Sequence, residues 1–221
     1  MAYSTQEGTQ TMNASATTTE VGSKPRVEGD REAAILEGVI ATLIEVGYDR
    51  MTFDAVAAKV RASKATLYRK WPTKADLVVS ALEHLKAQGG EDPHGLPDTG
   101  SLAGDLTFHF CDDQEFSEKS TLLFGSVVSA IHRDPELTQA FNERFMKPRM
   151  RQLREVIVRA QQRGEVGANA DVDQLAGILP SAIAYRVMTT GLCPDEPFIT
   201  STINQVLLPA CRASVTDNGQ R

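Results

Sequence analysis

Cysteine is scarce in this chain: three in 221 residues, at Cys111, Cys193 and Cys211, with no CxxC pair and no Cys/His spacing. An odd, scattered set excludes a disulfide framework and a zinc site, and buried free thiols are what it predicts. No apolar run approaches the roughly 18 residues of a membrane-spanning helix, so no membrane partner is expected. The first 23 residues hold neither Lys nor Arg. The basic head and apolar middle of a secretory leader are therefore missing, and a cytoplasmic location is expected. Catalytic signatures are absent too: there is no GxSxG, no P-loop, no HExxH and no glycine-rich dinucleotide fingerprint. Cys111 and His109 stand two apart, and on a helix such neighbours point to different sides, so they make no nucleophile and base pair. Neither catalysis nor a metal or other cofactor is expected. What remains is an ordinary globular composition, 41% hydrophobic and 24% charged, in a chain long enough for one or two domains.

The net charge of −6 taken alone argues against a nucleic-acid partner, but the charge is segregated. Residues 50–74 hold seven basic groups and one acidic group, whereas residues 75–221 hold thirteen and twenty. A basic island sits in an acidic protein.

Residues 1–27 lack apolar periodicity and cannot recover their ordering entropy by burial, so they read as a disordered arm, with Lys24-Pro25-Arg26 near its end. Beyond it almost every periodic segment has apolar residues three and four apart, which makes the fold class all-α. The first helix is expected from about Asp30 to Val46, with Leu36, Val39, Ile40 and Leu43 on one face and Gly47 at a left-handed cap. Thr52 caps a short helix carrying Phe53, Val56, Ala57 and Val60. Ser63 caps a second, which stops at Trp71 before Pro72. Thr73 and Asp76 then form a capping box at the head of a longer helix through Leu77, Ala81, Leu82 and Leu85. These elements define a first domain over residues 28–88. The Gly/Pro/Asp-rich stretch 89–100 marks the boundary. Residues 89–221 are expected to form a larger helical domain, with helices near 101–112, 117–132, 135–163, 172–190 and 195–212. Asp134-Pro135 and the Asp171 to Gln174 capping box mark helix starts, Gly164 and Gly191 mark ends, and Pro148 and Pro180 predict kinks.

Two short helices joined by Arg61-Ala62 make a helix-turn-helix, whose second helix enters a DNA major groove. Leu67 and Trp71, four apart, anchor its inner side and leave Lys64, Ala65, Thr66, Tyr68, Arg69 and Lys70 outward. The competing explanation is a basic helix that merely faces water. Against it stands the string TFDAVAAKVRASKATLYRKWPTKADLV at residues 52–78, which closely resembles the DNA-binding domain of TetR-type (tetracycline-repressor-like) transcriptional regulators. The pattern is carried by Thr52, Val56-Ala57, Ser63, Thr66-Leu67-Tyr68, Trp71 and Lys74, and the resemblance covers about residues 30–82. One departure is Arg61-Ala62, where the family usually has Gly-Val. If position 61 needs a positive φ, a non-glycine there costs on the order of 1 kcal/mol. The same departure is the support for an alternative, a helical protein-partner module that no longer reads DNA.

The resemblance implies roles for matched positions. Lys64, Ala65 and Arg69 take the base-reading places, where Arg suits guanine and the Ala methyl suits thymine. Thr52, Ser63, Thr66, Tyr68, Lys70 and Lys74 take the places that clamp the DNA backbone. Lys24 and Arg26 on the arm have either a minor-groove role or none. The resemblance further implies that the second domain binds a small effector and forms a homodimer. Phe108, Phe110, Phe124, Val128, Phe141, Phe145, Met146 and Met150 supply an aromatic and Met-rich set that is either core or pocket wall. His109, His132 and Tyr185 either orient a ligand or hold local hydrogen bonds, and the excess of acid in this half fits a cationic lipophilic effector and surface solubility equally. The last two helices carry surplus apolar surface at Leu175, Ile178, Leu179, Ile183 and Tyr185, and at Phe198, Ile199, Ile203, Val206 and Leu207. A dimer interface with two-fold symmetry is the expected use. The function so implied is a ligand-responsive repressor that binds a pseudo-palindromic double-stranded operator as a dimer. An unknown small-molecule effector would release it by shifting the helix at about residues 74–88.

Overall fold

The structure, a computed structural model, describes residues 26–88, 98–111, 118–192 and 194–217. The expected arm up to Pro25, with Lys24, lies outside the described residues, as do most of the 89–100 linker, Cys193 and the side chains of Arg26, His109 and Cys111. Among the described residues every regular element is helical. In order they are α1 (Arg26–Arg50), α2 (Phe53–Lys59), α3 (Lys64–Lys70), α4 (Lys74–Gln88), α5 (Leu102–Cys111), α6 (Glu118–Ile131), α7 (Pro135–Phe141), α8 (Lys147–Gln162), α9 (Val172–Thr190), α10 (Glu196–Thr202) and α11 (Leu208–Asp217). Two π-helical turns, Asn142–Met146 and Ile203–Leu207, join α7 to α8 and α10 to α11.

Helix starts fall where short polar side chains predict them. Thr52 Oγ1 accepts the Ala55 amide at 3.2 Å, and Ser63 Oγ accepts that of Thr66 at 3.1 Å. Thr73 Oγ1 accepts the Asp76 amide at 3.1 Å while donating to the Asp76 carboxylate at 3.0 Å, which closes the expected capping box. Asp134 and Asp171 cap α7 and α9 in the same way. The first helix departs from expectation: it already includes Arg26 and Val27, and its chain kinks at Gly47, with φ +74°.

The prolines divide. Pro180 sits inside α9, which runs on through it from Val172 to Thr190, so the helix does not break there. Pro148 and Pro209 each follow a π-helical turn by two residues. A proline ring collides with the carbonyl four residues back, and the wider turn supplies the room it needs.

Two apolar cores hold the chain together. The first joins α1 to α4 (Ile40, Leu43, Leu67, Trp71, Leu77) with Leu123, Val127, Leu137 and Phe141 of α6 and α7. The second fills α5 and α8 to α11. The boundary in sequence is therefore not the boundary in packing, because α6 and α7 sit on the helix-turn-helix unit. The start of α5 is fixed by Asp105, which is fully buried. Its carboxylate accepts the Thr99 amide at 2.6 Å, the Thr99 hydroxyl at 2.7 Å and Arg163 at 3.1 Å. Cys211, the cysteine whose side chain is described, is buried and free, and burial pushes its thiol up to about 11.

Candidate nucleic-acid interface and effector cavity

The turn between α2 and α3 needs a left-handed residue, and Arg61 adopts φ +51° to make it. The Ala62 amide returns to the Ala57 carbonyl at 3.0 Å. Arg31, thirty residues earlier on α1, donates to the carbonyls of both Val60 and Arg61 at 3.1 Å. Sequence reasoning missed this brace, since no local pattern links positions so far apart. Gly38 completes the seat: a Cβ there would lie 2.1 Å from Val60 Cγ1, so α1 meets the turn through a glycine.

On this seat α3 buries Leu67, with Trp71 buried behind it, and turns Lys64, Ala65, Tyr68, Arg69 and Lys70 to solvent; Thr66 is half-buried. The predicted DNA-facing residues of α3 are thus exposed together, and Thr52 and Ser63, which cap α2 and α3, are exposed as well. Tyr68 is held upright by stacking on Phe53, ring centroids 4.1 Å apart. The cations differ in readiness. Lys64 is paired with Asp54 at 2.9 Å, and Lys70 is paired with Glu32. Lys74 lies 4.1 Å over the Tyr48 ring and is half-buried. Burial lowers its pKa against the opposing pull of Asp49 and Asp134. Arg69 is exposed, with no hydrogen bond or ion pair among the described residues.

A cavity of about 170 Å³ opens on the other side of α4. Its wall takes Leu82, Leu85 and Lys86 from α4, Phe110 from α5, and Ser120, Thr121, Leu123 and Phe124 from α6. Phe145, Met146, Arg149, Met150 and Leu153 enclose it from the π turn and α8, and Pro180, Ile183, Ala184 and Val187 from α9. Of the aromatic and Met-rich set expected as core or pocket wall, Phe110, Phe124, Phe145, Met146 and Met150 line it. Phe141 stands behind them, stacked 5.2 Å from Phe145, in the first core. Phe108, Val128 and Tyr185 lie outside the lining: Phe108 and Tyr185 are exposed on helix faces turned from it, and Val128 is one turn beyond Phe124 along α6. His132 is exposed as well. The ionisable groups of the lining are Lys86 and Arg149, and no described lining residue is a carboxylate.

Arg144 holds the helix between the two sites, and a separate tie joins α1 to α7. Arg144 in the π turn donates to Glu83 at 3.1 and 2.5 Å and to Ser80 at 2.8 Å, and lies 3.5 Å from Asp76. Tyr48 donates to Asp134, the α7 cap, at 2.5 Å. Burial and that carboxylate push the phenol well above its ordinary pKa.

The expected dimer residues divide too. Leu175, Leu179, Ile183, Ile199, Ile203 and Leu207 are buried within the chain's own second core, and Val206 is exposed. Among the described residues no helix is long and apolar enough to cross a membrane, and none form a cluster of three or more metal-ligating side chains.

Residues 35–81 match the family model for bacterial regulatory proteins of the tetR family, and residues 96–206 match the tetracyclin repressor-like C-terminal domain. An uncharacterised HTH-type transcriptional regulator of Mycobacterium tuberculosis is 32% identical over 187 residues, covering 83% of this chain and 89% of that protein. A DNA-binding transcriptional repressor TetR of Mycobacteroides abscessus is 32% identical over 184 residues, covering 82% and 94%. In fold, the chain superposes on the TetR family transcription regulator SCO0332 with a TM-score of 0.60 at 23% identity, over 82% of this chain and 98% of that one.

Proposed function

Because the chain belongs to the TetR family and is a DNA-binding transcriptional regulator, we propose that it is a ligand-responsive repressor acting in the cytoplasm. It grips a pseudo-palindromic operator as a homodimer and lets go when a small molecule fills the cavity. The observation that carries this reading is the double duty of α4. Only three residues separate its start from α3, and its last turns wall the cavity at Leu82, Leu85 and Lys86. A ligand that displaces those turns tilts the recognition helix with them.

Lys64, Ala65 and Arg69 read bases, Arg69 being the one poised to act at once. Thr52, Ser63, Thr66, Tyr68 and Lys70 hold phosphates. Lys74 adds least to the phosphate grip, since its ammonium already rests on Tyr48. Binding requires Lys64 to exchange Asp54, and Lys70 to exchange Glu32, for DNA.

Selection of bound sequences from a random duplex pool tests the reading. A two-fold consensus should emerge, with log affinity falling linearly in log salt. Arg69→Ala should relax discrimination at one base pair by about 1–3 kcal/mol. A pool that yields no consensus would remove DNA reading and leave a helical partner-binding module.

A further inference from the structure

We infer that the cavity takes a molecule of one aromatic ring with a single short arm carrying an acceptor oxygen, the class of an alkyl aryl ketone; this rests on reading the cavity as the effector site. Size comes first. A space of about 170 Å³ compares with the roughly 150 Å³ of an engineered apolar cavity that holds benzene. One ring and a short arm fill it, and a second fused ring exceeds it.

The wall then selects for a flat ring. Phe110, Phe124 and Phe145 reach the cavity from three different elements, α5, α6 and the first π turn. Three rings on separate elements offer a guest ring edge and face contacts, which add to plain burial. Met146 and Met150 line the cavity beside them, and an unbranched thioether adapts to a ring edge where a branched side chain leaves a gap.

One polar group in that wall lacks a partner. The polar lining side chains are Lys86, Ser120, Thr121 and Arg149, and Lys86, Ser120 and Arg149 already engage other groups of the chain. Thr121 differs. It is 8% exposed, and its hydroxyl has no hydrogen-bond partner, although buried side-chain polar atoms nearly always find one. It precedes Phe124 by three positions on α6, which sets it beside one of the three rings. A helical threonine uses two χ1 rotamers, so one rotation exchanges its methyl for its hydroxyl at the wall. A carbonyl oxygen on the guest's arm supplies the acceptor that the free protein withholds from this donor.

Acetophenone carries all three features and is the probe. α-Methylstyrene replaces its carbonyl oxygen with a methylene group, cyclohexyl methyl ketone replaces its aromatic ring, and 2-acetonaphthone adds a fused ring. None of the four is charged. In NMR titrations of the full chain with methyl-labelled methionine, acetophenone should move the Met146 and Met150 signals. It should bind about threefold more tightly than cyclohexyl methyl ketone, and about tenfold or more above 2-acetonaphthone, whose second ring overpacks the site. Thr121→Val should weaken acetophenone about five- to tenfold while leaving α-methylstyrene unchanged or tighter, and Thr121→Ser should keep the parent's affinity for both. The unliganded Thr121→Val protein should melt where the parent does or higher, as removal of an unpaired hydroxyl requires. Absence of acetophenone binding, binding that leaves those two signals in place, or equal binding of the cyclohexyl or naphthyl ketone overturns the proposal. A Thr121→Val protein that treats acetophenone and α-methylstyrene alike overturns it too. Gel shifts with the selected operator separate the two readings. If acetophenone binds with the stated preferences and leaves operator affinity unchanged, the ligand class stands and the effector reading fails.

Discussion

Arg61 shows how one residue can carry a fold's strain without breaking it. Its left-handed backbone crowds the Cβ against the chain, at a cost that glycine escapes. Arg31 offsets that cost by binding the two carbonyls the turn exposes. Arg61→Gly should therefore stabilise the protein by about 0.5–1 kcal/mol, the relief of strain being partly cancelled by glycine's freer unfolded chain. A urea titration checks this through a raised midpoint at unchanged slope; a lowered midpoint would mean that the arginine side chain contributes more than its backbone loses. Asp105 makes the opposite case, a buried charge fully met by partners. Burial alone would raise its pKa. The Thr99 amide and hydroxyl, Arg163 and Arg159 outweigh burial and hold the carboxyl below its ordinary range. The folded pKa is the lower one, so the carboxylate's contribution is complete above the unfolded value of about 3.9 and is lost as pH falls through the folded value. Asp105→Asn should cost about 2–3 kcal/mol near pH 7. The gap in melting temperature between the two proteins should close on acidification below about pH 4, and a gap constant from pH 7 to pH 3 would contradict the ionic account.

Elements were legible in the sequence wherever the signal was local. Thr52, Ser63, Thr73, Asp134 and Asp171 each lie within three residues of the amide they cap, and Gly191 ends α9 in the left-handed region as its position predicts. The helix-turn-helix and its outward residues were readable for the same reason: Leu67 fixes the buried face, and the rest follows from helical spacing. Long-range features were not readable. Apolar periodicity says that Phe108 and Phe124 each lie on an amphipathic helix, but not which neighbour each helix will meet, so Phe108, expected in a pocket, stands in solvent. The π turns were hidden too, because Pro148 announces a disturbance without its form. The turn at Asn142–Met146 matters most, since consecutive residues there face two ways: Arg144 holds α4, while Phe145 and Met146 wall the cavity. Arg144→Met should remove charge-assisted bonds worth about 1.5–3 kcal/mol in total, enough to speed local opening of α4 by about 10–100-fold. Hydrogen exchange of α4 amides should accelerate by that factor while α9 amides keep their protection. Equal acceleration in both helices would mean that Arg144 supports the whole fold, with no special hold on α4.

The whole molecule carries an unpaid surface on its α9 side. Tyr185, Met188 and Leu192 are 70%, 69% and 57% exposed, and Val206 on the second π turn is 51% exposed. Tyr185 and Met188, three apart, share one side of α9, Leu192 follows its left-handed Gly191 cap, and the second π turn packs against α9. Scattered exposed apolar residues mean little, but several on one helix and its flanking turns offer a surface suited to a second copy of the chain. The residues first expected there, Leu179 and Ile203 among them, are spent on the second core; α9 is apolar on two sides, and periodicity does not say which side faces inward. A second copy docked face to face about a two-fold axis would bury this surface isologously and hold two α3 helices at one fixed separation, as a pseudo-palindromic operator demands. Met188→Glu places a like charge opposite itself across that axis at little expense to the monomer's own packing. Sedimentation velocity should find a folded monomer at micromolar concentration, with helical circular dichroism and melting temperature close to those of the parent. Operator affinity should fall by about two to four orders of magnitude, because each half-site must then be held without the effective concentration supplied by its twin. A Met188→Glu protein that sediments as a dimer and binds operator normally would move the interface elsewhere on the second domain and leave the exposed surface without that use.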